Sequence, residues 1–202
     1  MGNFTSYNSL AFFDVETISL DTMSGVDTLL SISIIKDYRG GDTKRLDLKI
    51  KMTDVKRSRA SSEALKVNMY SDEEWQDAVE LEDAIPDIVR MLYDCPIVAH
   101  NISFDIGHLT SSFEACGWTK NKNWSRNIED EISKKLFTFG RPLIDTYSLA
   151  WLYTDSDRQN LNELRSMYNI STDRAHAADT DTEDCRTIFY NIIGATHPSL
   201  RE

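Results

Sequence analysis

The apolar run Leu10-Ala11-Phe12-Phe13, closed by Asp14-Val15, predicts a buried strand that ends in a carboxylate. Thr28 to Ile35 alternates and is rich in β-branched residues, as a second strand should be, and Leu46 to Met52 alternates as a third. The turn Arg39-Gly40-Gly41-Asp42 lies between them and suits a hairpin, so an antiparallel meander opens the chain. Helical spacing follows. Ser71-Asp72-Glu73-Glu74 is a start signal, and Leu81 to Tyr93 carries apolar residues three and four apart. Pro96 to His100 reads as a short buried strand, and Phe104 to Cys116 as a helix ending near Gly117. Leu143-Ile144 is a strand tip, with Asp145 capping a helix through Ala150 to Tyr153. Asn160 to Tyr168 and Asp179 to Ile193 are further helices, the last ended by Gly194 and followed by Pro198. Residues 118–141 are polar, basic and aromatic, an excursion beside the core. A meander followed by helices alternating with short strands predicts an α/β fold, a mixed sheet with helices on its faces. One domain is expected over residues 1–202, with its core from about 9 to 195.

Composition narrows the class. A hydrophobic fraction of 41% over 202 residues suits a packed core. No apolar run approaches the roughly 18–20 residues of a membrane helix, so no membrane partner is expected. The start Met1-Gly2-Asn3-Phe4-Thr5-Ser6 lacks the basic and apolar regions of a secretory signal. Cys95, Cys116 and Cys185 are far apart and odd in number, which suits free thiols in a reducing, cytoplasmic setting. The net charge of −11 argues against broad duplex binding, since phosphate backbones are held mainly by Lys and Arg. The charge is uneven, however. Residues 36–66 hold ten basic groups against five acids, and residues 120–141 six against three. Such windows are either solvated faces or tracks for a short strand end.

Three segments carry chemistry. In Asp14-Val15-Glu16 the carboxylates are two apart on a strand and project to one face. Their repulsion is relieved by a hard dication, although two acids at an exposed strand tip give the same string. In His100-Asn101-Ile102-Ser103-Phe104-Asp105 a buried strand delivers a polar pair and then a helix with Asp105 in its first turn, which also reads as ordinary capping. In His176-Ala177-Ala178-Asp179-Thr180-Asp181 a loop histidine precedes the final helix, with Asp179 as its candidate cap. Together they supply four carboxylates and one histidine. Two-metal phosphodiester hydrolysis needs a carboxylate clamp and a base that titrates near neutrality.

The strings Phe13-Asp14-Val15-Glu16-Thr17, Ala99-His100-Asn101-Ile102-Ser103-Phe104-Asp105 and His176-Ala177-Ala178-Asp179-Thr180-Asp181 resemble, in order, the three exonuclease motifs of the DEDDh (DnaQ-like) superfamily. Ile144 to Ala150, and Asn160 to Leu164 with Tyr168-Asn169-Ile170, resemble the segments between the second and third motifs. The resemblance implies a ribonuclease H-like fold and 3′→5′ release of nucleoside 5′-monophosphates with two divalent cations, Mg²⁺ or Mn²⁺. By the same resemblance Asp14 would bridge both metals, Glu16 and Asp181 would complete the tighter site, and Asp105 would hold the second. His176 would be the general base. Thr17, Ile18, His100, Asn101 and Phe104 would meet the terminal nucleotide. Many relatives have glycine after the motif-one threonine. Ile18 stands there instead, either narrowing the pocket or wedging against the terminal base.

The expected partner is a single-stranded 3′ end, DNA ahead of RNA, with a polymerase or replication protein as a further partner. An RNA-trimming enzyme resembling RNase T and a non-catalytic strand-end binder are the alternatives. An aspartyl phosphatase is disfavoured, because that chemistry wants an aspartate where Glu16 stands. Trp118, Trp124 and Phe137 in the basic excursion either stack on bases or cover the core.

Overall fold

The computed structural model describes residues 7–23, 25–122, 127–154, 158–172 and 177–194. Strand β1 (Ser9–Thr17) pairs antiparallel with β2 (Leu29–Tyr38), which pairs antiparallel with β3 (Thr43–Lys49). The hairpin between β2 and β3 closes on Gly41, whose φ of 95° is open to glycine and whose N–H donates to the Tyr38 carbonyl. On its other side β1 runs parallel to β4 (Ile97–Ala99), and β4 runs parallel to β7 (Leu143–Asp145). The sheet order is β3-β2-β1-β4-β7, so the expected mixed sheet opening with a meander is the observed one.

Alternation along β1 splits the molecule into two cores. Ala11, Phe13 and Val15 face one side, where α3 (Leu81–Leu92) and α4 (Ile102–Ala115) bury Ile85, Ile88, Leu109 and Phe113. Phe12 faces the other side and packs edge-on against Phe189 of α8 (Ala178–Ile192), with ring centroids 5.5 Å apart. Beside α8 lie α6 (Thr146–Tyr153) and α7 (Leu161–Met167).

Local signals explain most boundaries and several departures. Asp145 accepts hydrogen bonds from the amides of Tyr147 and Ser148, capping α6. β3 stops at Lys49 rather than Met52, because the Lys51 amide turns to the Val79 carbonyl at 2.9 Å. Two helices carried no sequence expectation, α1 (Asp54–Arg59) and α2 (Ser62–Val67); at six residues each they are too short for periodicity, and Thr53 and Ser61 cap them. Ser71 starts only a turn. Val79 is held extended against Ile50, and this breaks the helical course until Leu81. The last helix is preceded by Ala177 as its N-cap, so Asp179 is a first-turn residue and not the cap.

The excursion holds β5 (Thr119–Lys120), α5 (Ile128–Ser133) and β6 (Leu136–Phe137), with β5 and β6 paired in parallel. Trp118 and Phe137 are 3% and 2% exposed and belong to the core beside Phe113. Their side chains cover the core and are closed to base stacking; Trp124 lies outside the described residues. In the basic window of residues 36–66, at least half of the ten basic groups are already engaged. Lys36 and Lys56 are buried on backbone carbonyls, and Lys49, Lys51 and Arg57 pair with Glu74, Glu80 and Asp72. No helix among the described residues is long and apolar enough to cross a membrane.

Candidate active site

Asp14 and Glu16 follow Phe12 at intervals of two on β1 and therefore share its face, the one covered by α8. On α8 a second stripe meets them. Phe189 and Cys185 pack around Phe12, and Asp181, four residues before Cys185, lies one turn further toward the helix N-terminus. One ligand atom from each of Asp14, Glu16 and Asp181 lies within 4.8 Å of the others. Asp105 arrives from the first turn of α4. It is 2% exposed, and its Oδ1 accepts the Val15 amide at 3.2 Å, which ties the start of α4 to β1 between the two motif-one acids.

The electrostatics of this cluster are unfavourable without a cation. Burial, then the charges of Asp105, Glu16 and Asp181, hold the Asp14 carboxyl well above the usual carboxylate range. Burial chiefly raises Asp105 as well, against the opposing pull of the Val15 amide. Burial and the charge of Asp181 push Glu16 up to about 7. At an effective dielectric near 20, each fully ionised pair at this spacing costs about 3–4 kcal/mol. The charge of Arg165 offsets part of this repulsion at Asp14, and uptake of protons or a metal cation relieves the rest. An all-oxygen carboxylate set fits a hard divalent cation such as Mg²⁺ or Mn²⁺.

The remaining expected contact residues separate into open and closed positions. Asn101 is exposed and left-handed (φ 61°), and its amide donates to Asp145 Oδ1 at 2.8 Å. Phe104 is half-buried with its ring 4.4 Å from that of His108, which in turn bonds Thr28. His100 is half-buried, its Nδ1 3.0 Å from Thr146 Oγ1 and its ring against Tyr147. Burial lowers His100 to about 4, so it is neutral at pH 7. Thr17 is buried and donates its hydroxyl to the Ser19 carbonyl. Ile18 is fully buried, with its amide on the Thr28 carbonyl and its own carbonyl accepting from Ser61. A side chain so enclosed presents nothing to a base, which corrects the wedge expectation. His176 and Arg126 lie outside the described residues.

One functional neighbour escaped the motif reading. Arg165 on α7 is buried behind Asp181 and donates to its Oδ1 at 2.5 Å. The only hint in the sequence is an arginine beside Leu164 on the inward stripe of a short helix.

Comparison with known proteins agrees with this arrangement. The family described as RNase_T, exonuclease, matches residues 11–189, nearly the whole described chain. The chain belongs to that exonuclease family. It is thereby a nuclease of the DEDDh-type, DnaQ-like superfamily. Among curated relatives, a DNA polymerase III of PolC type from Staphylococcus epidermidis is 25% identical over 182 residues, 90% of this chain. The chain spans 11% of that relative's length. Among solved structures, cell-death related nuclease 4 superposes with a TM-score of 0.67 at 13% identity, covering 93% of this chain and 64% of that one. Exonuclease I of E. coli with a dA16 oligonucleotide gives 0.60 at 15%, covering 90% and 40%. A 3′-exonuclease that recognises the histone mRNA stem-loop gives 0.62 at 9%, covering 93% and 82%. At these identities the structural likenesses establish the fold, that of ribonuclease H-like exonucleases.

Proposed function

We propose that this exonuclease shortens single-stranded nucleic acid from its 3′ end, DNA in preference to RNA, releasing nucleoside 5′-monophosphates with two divalent cations, Mg²⁺ or Mn²⁺. The observation that carries the reading is the convergence of Asp14, Glu16 and Asp181 within 4.8 Å, beside buried Asp105, in a chain of the exonuclease family. The roles follow from the chemistry of each group. Asp14, Glu16 and Asp181 would hold one cation, and Asp105 would serve the other. When bound, the cations neutralise the phosphate and acidify the attacking water. His176 takes the proton from that water, since imidazole titrates closest to neutrality. Asn101, Phe104 and neutral His100 contact the terminal nucleotide, as the resemblance of their motif implies. Thr17 and Ile18 act through the shape of the backbone they anchor.

The DNA preference is supported by the likeness to exonuclease I bound to an oligodeoxynucleotide. RNA is the second reading, favoured by the comparable superposition with the histone mRNA 3′-exonuclease. The PolC-type relatives support a polymerase or replication protein as partner, and the span matched in them agrees with one domain here. The test is product analysis on an unlabelled oligonucleotide. Wild type should release nucleoside 5′-monophosphates and Asp14→Asn none; internal fragments from wild type would contradict the reading.

A further inference from the structure

Arg165 is the largest fully buried side chain of the described residues, and a buried guanidinium is stable only when its donors are matched. Its three nitrogens go to three different acceptors. Nε donates to Asp184 Oδ2 at 2.7 Å, Nη1 to Asn162 Oδ1 at 2.8 Å and Nη2 to Asp181 Oδ1 at 2.5 Å. Asp181 and Asp184 are three apart on α8 and so present side by side to α7. If the arginine served only to join α7 to α8, Asp184 alone would suffice, since Asn162 lies on α7 itself. The third branch reaches the one acid of the trio that comes from a helix rather than from β1, the one whose position depends on how α8 seats.

We propose that Arg165 is a positioning residue for the metal site, fixing the Asp181 carboxylate by one oxygen so that its other edge is held toward Asp14 and Glu16. The inference rests on Asp181 being a cation ligand, as proposed above. Outer partners of this kind orient ligating carboxylates, and their loss typically costs 10–100-fold in metal affinity. A cation beside a metal site also repels metal, so removing Arg165 alone mixes two opposite effects. Asp184 resolves this: Arg165 and Asp184 carry opposite charges, and removing both leaves the charge of the site unchanged. A buried ion pair replaced by apolar groups of similar size is often neutral or stabilising, so the double replacement is expected to fold.

The experiment is calorimetric titration of Mn²⁺ into the substrate-free full chain, comparing wild type with Arg165→Met/Asp184→Leu. The double variant should bind Mn²⁺ about 10–100-fold more weakly, while its thermal midpoint stays at or above that of wild type in EDTA. Equal Mn²⁺ affinity in a folded double variant overturns the inference. Should that variant fail to fold, Arg165→Lys decides, because it keeps the charge and loses the fork: weaker binding supports the inference and unchanged binding overturns it. If wild type itself binds no Mn²⁺, or Asp14→Asn binds as wild type does, the carboxylate site is wrong and the inference falls with it. Wild-type binding with unaffected variants sinks the positioning role alone.

Discussion

At the scale of single residues the site is a set of like charges held close by packing. Glu16 ordinarily titrates near 4.5 and here is pushed to about 7, so the folded, metal-free chain binds more protons than the unfolded chain between those values. Stability in EDTA should therefore be highest at the acid end of that window and fall as pH rises through it, by up to about 3 kcal/mol from Glu16 alone. Saturating Mn²⁺ should flatten the fall, and thermal melts from pH 5 to 8 read both. Asp14→Asn relieves the same repulsion. It should abolish turnover while raising the melting temperature in EDTA at pH 8; a large drop in that temperature would show that Asp14 has a structural partner. His176→Ala should lower kcat by about 10²–10⁴-fold while Mn²⁺ binding measured by calorimetry stays close to wild type. The acids were legible because strand alternation puts Asp14 and Glu16 on one face and because Asp105 and Asp181 open helices. Arg165 was not. A helical arginine reads as a solvated side chain, and its burial depends on Asp181 and Asp184 from another helix.

At the scale of elements, the long strands β1 and β2 and the helices α3, α4 and α8 followed from periodicity and caps. Those that did not were short, like α1 and α2, or set by distant pairing, like Val79, which Ile50 holds extended between the turns after Ser71 and the start of α3. Aromatics in the excursion were ambiguous for a related reason. Periodicity cannot tell whether Trp118 and Phe137 face solvent, and only the packing against Phe113 decides. The junction of β7 and α6 shows how elements set the site's edge. The Asp145 carboxylate caps α6 and also accepts the amide of Asn101, where the backbone turns left-handed before α4. Asp145→Ala should cost about 1–2 kcal/mol in urea unfolding, as a lost cap does, and raise KM by loosening Asn101. Asp145→Asn, which keeps the acceptor oxygen, should restore most of both.

At the scale of the whole molecule, a net charge of −11 surrounds a site meant for a polyanion. Much of the basic content is already committed to carboxylates and carbonyls, from Lys36 to Arg57, which leaves little for a long duplex. Lys120 and Lys122 are exposed in the second basic window. Converting both to Ala should reduce the slope of log affinity against log salt by at most about 1–2. An unchanged slope would remove them from the phosphate track. Binding is expected to favour short strand ends over duplex, since acidic surface repels DNA that extends away from the site.

The most direct measurement is digestion of oligonucleotides labelled at the 5′ or at the 3′ end, DNA and RNA side by side, with Mg²⁺, with Mn²⁺ and with EDTA. The account predicts a ladder of shortening 5′-labelled products, immediate release of the 3′ label as a mononucleotide, faster loss of DNA than RNA, and no cleavage in EDTA. Cleavage that persists in EDTA, or a ladder on the 3′-labelled strand, would contradict it.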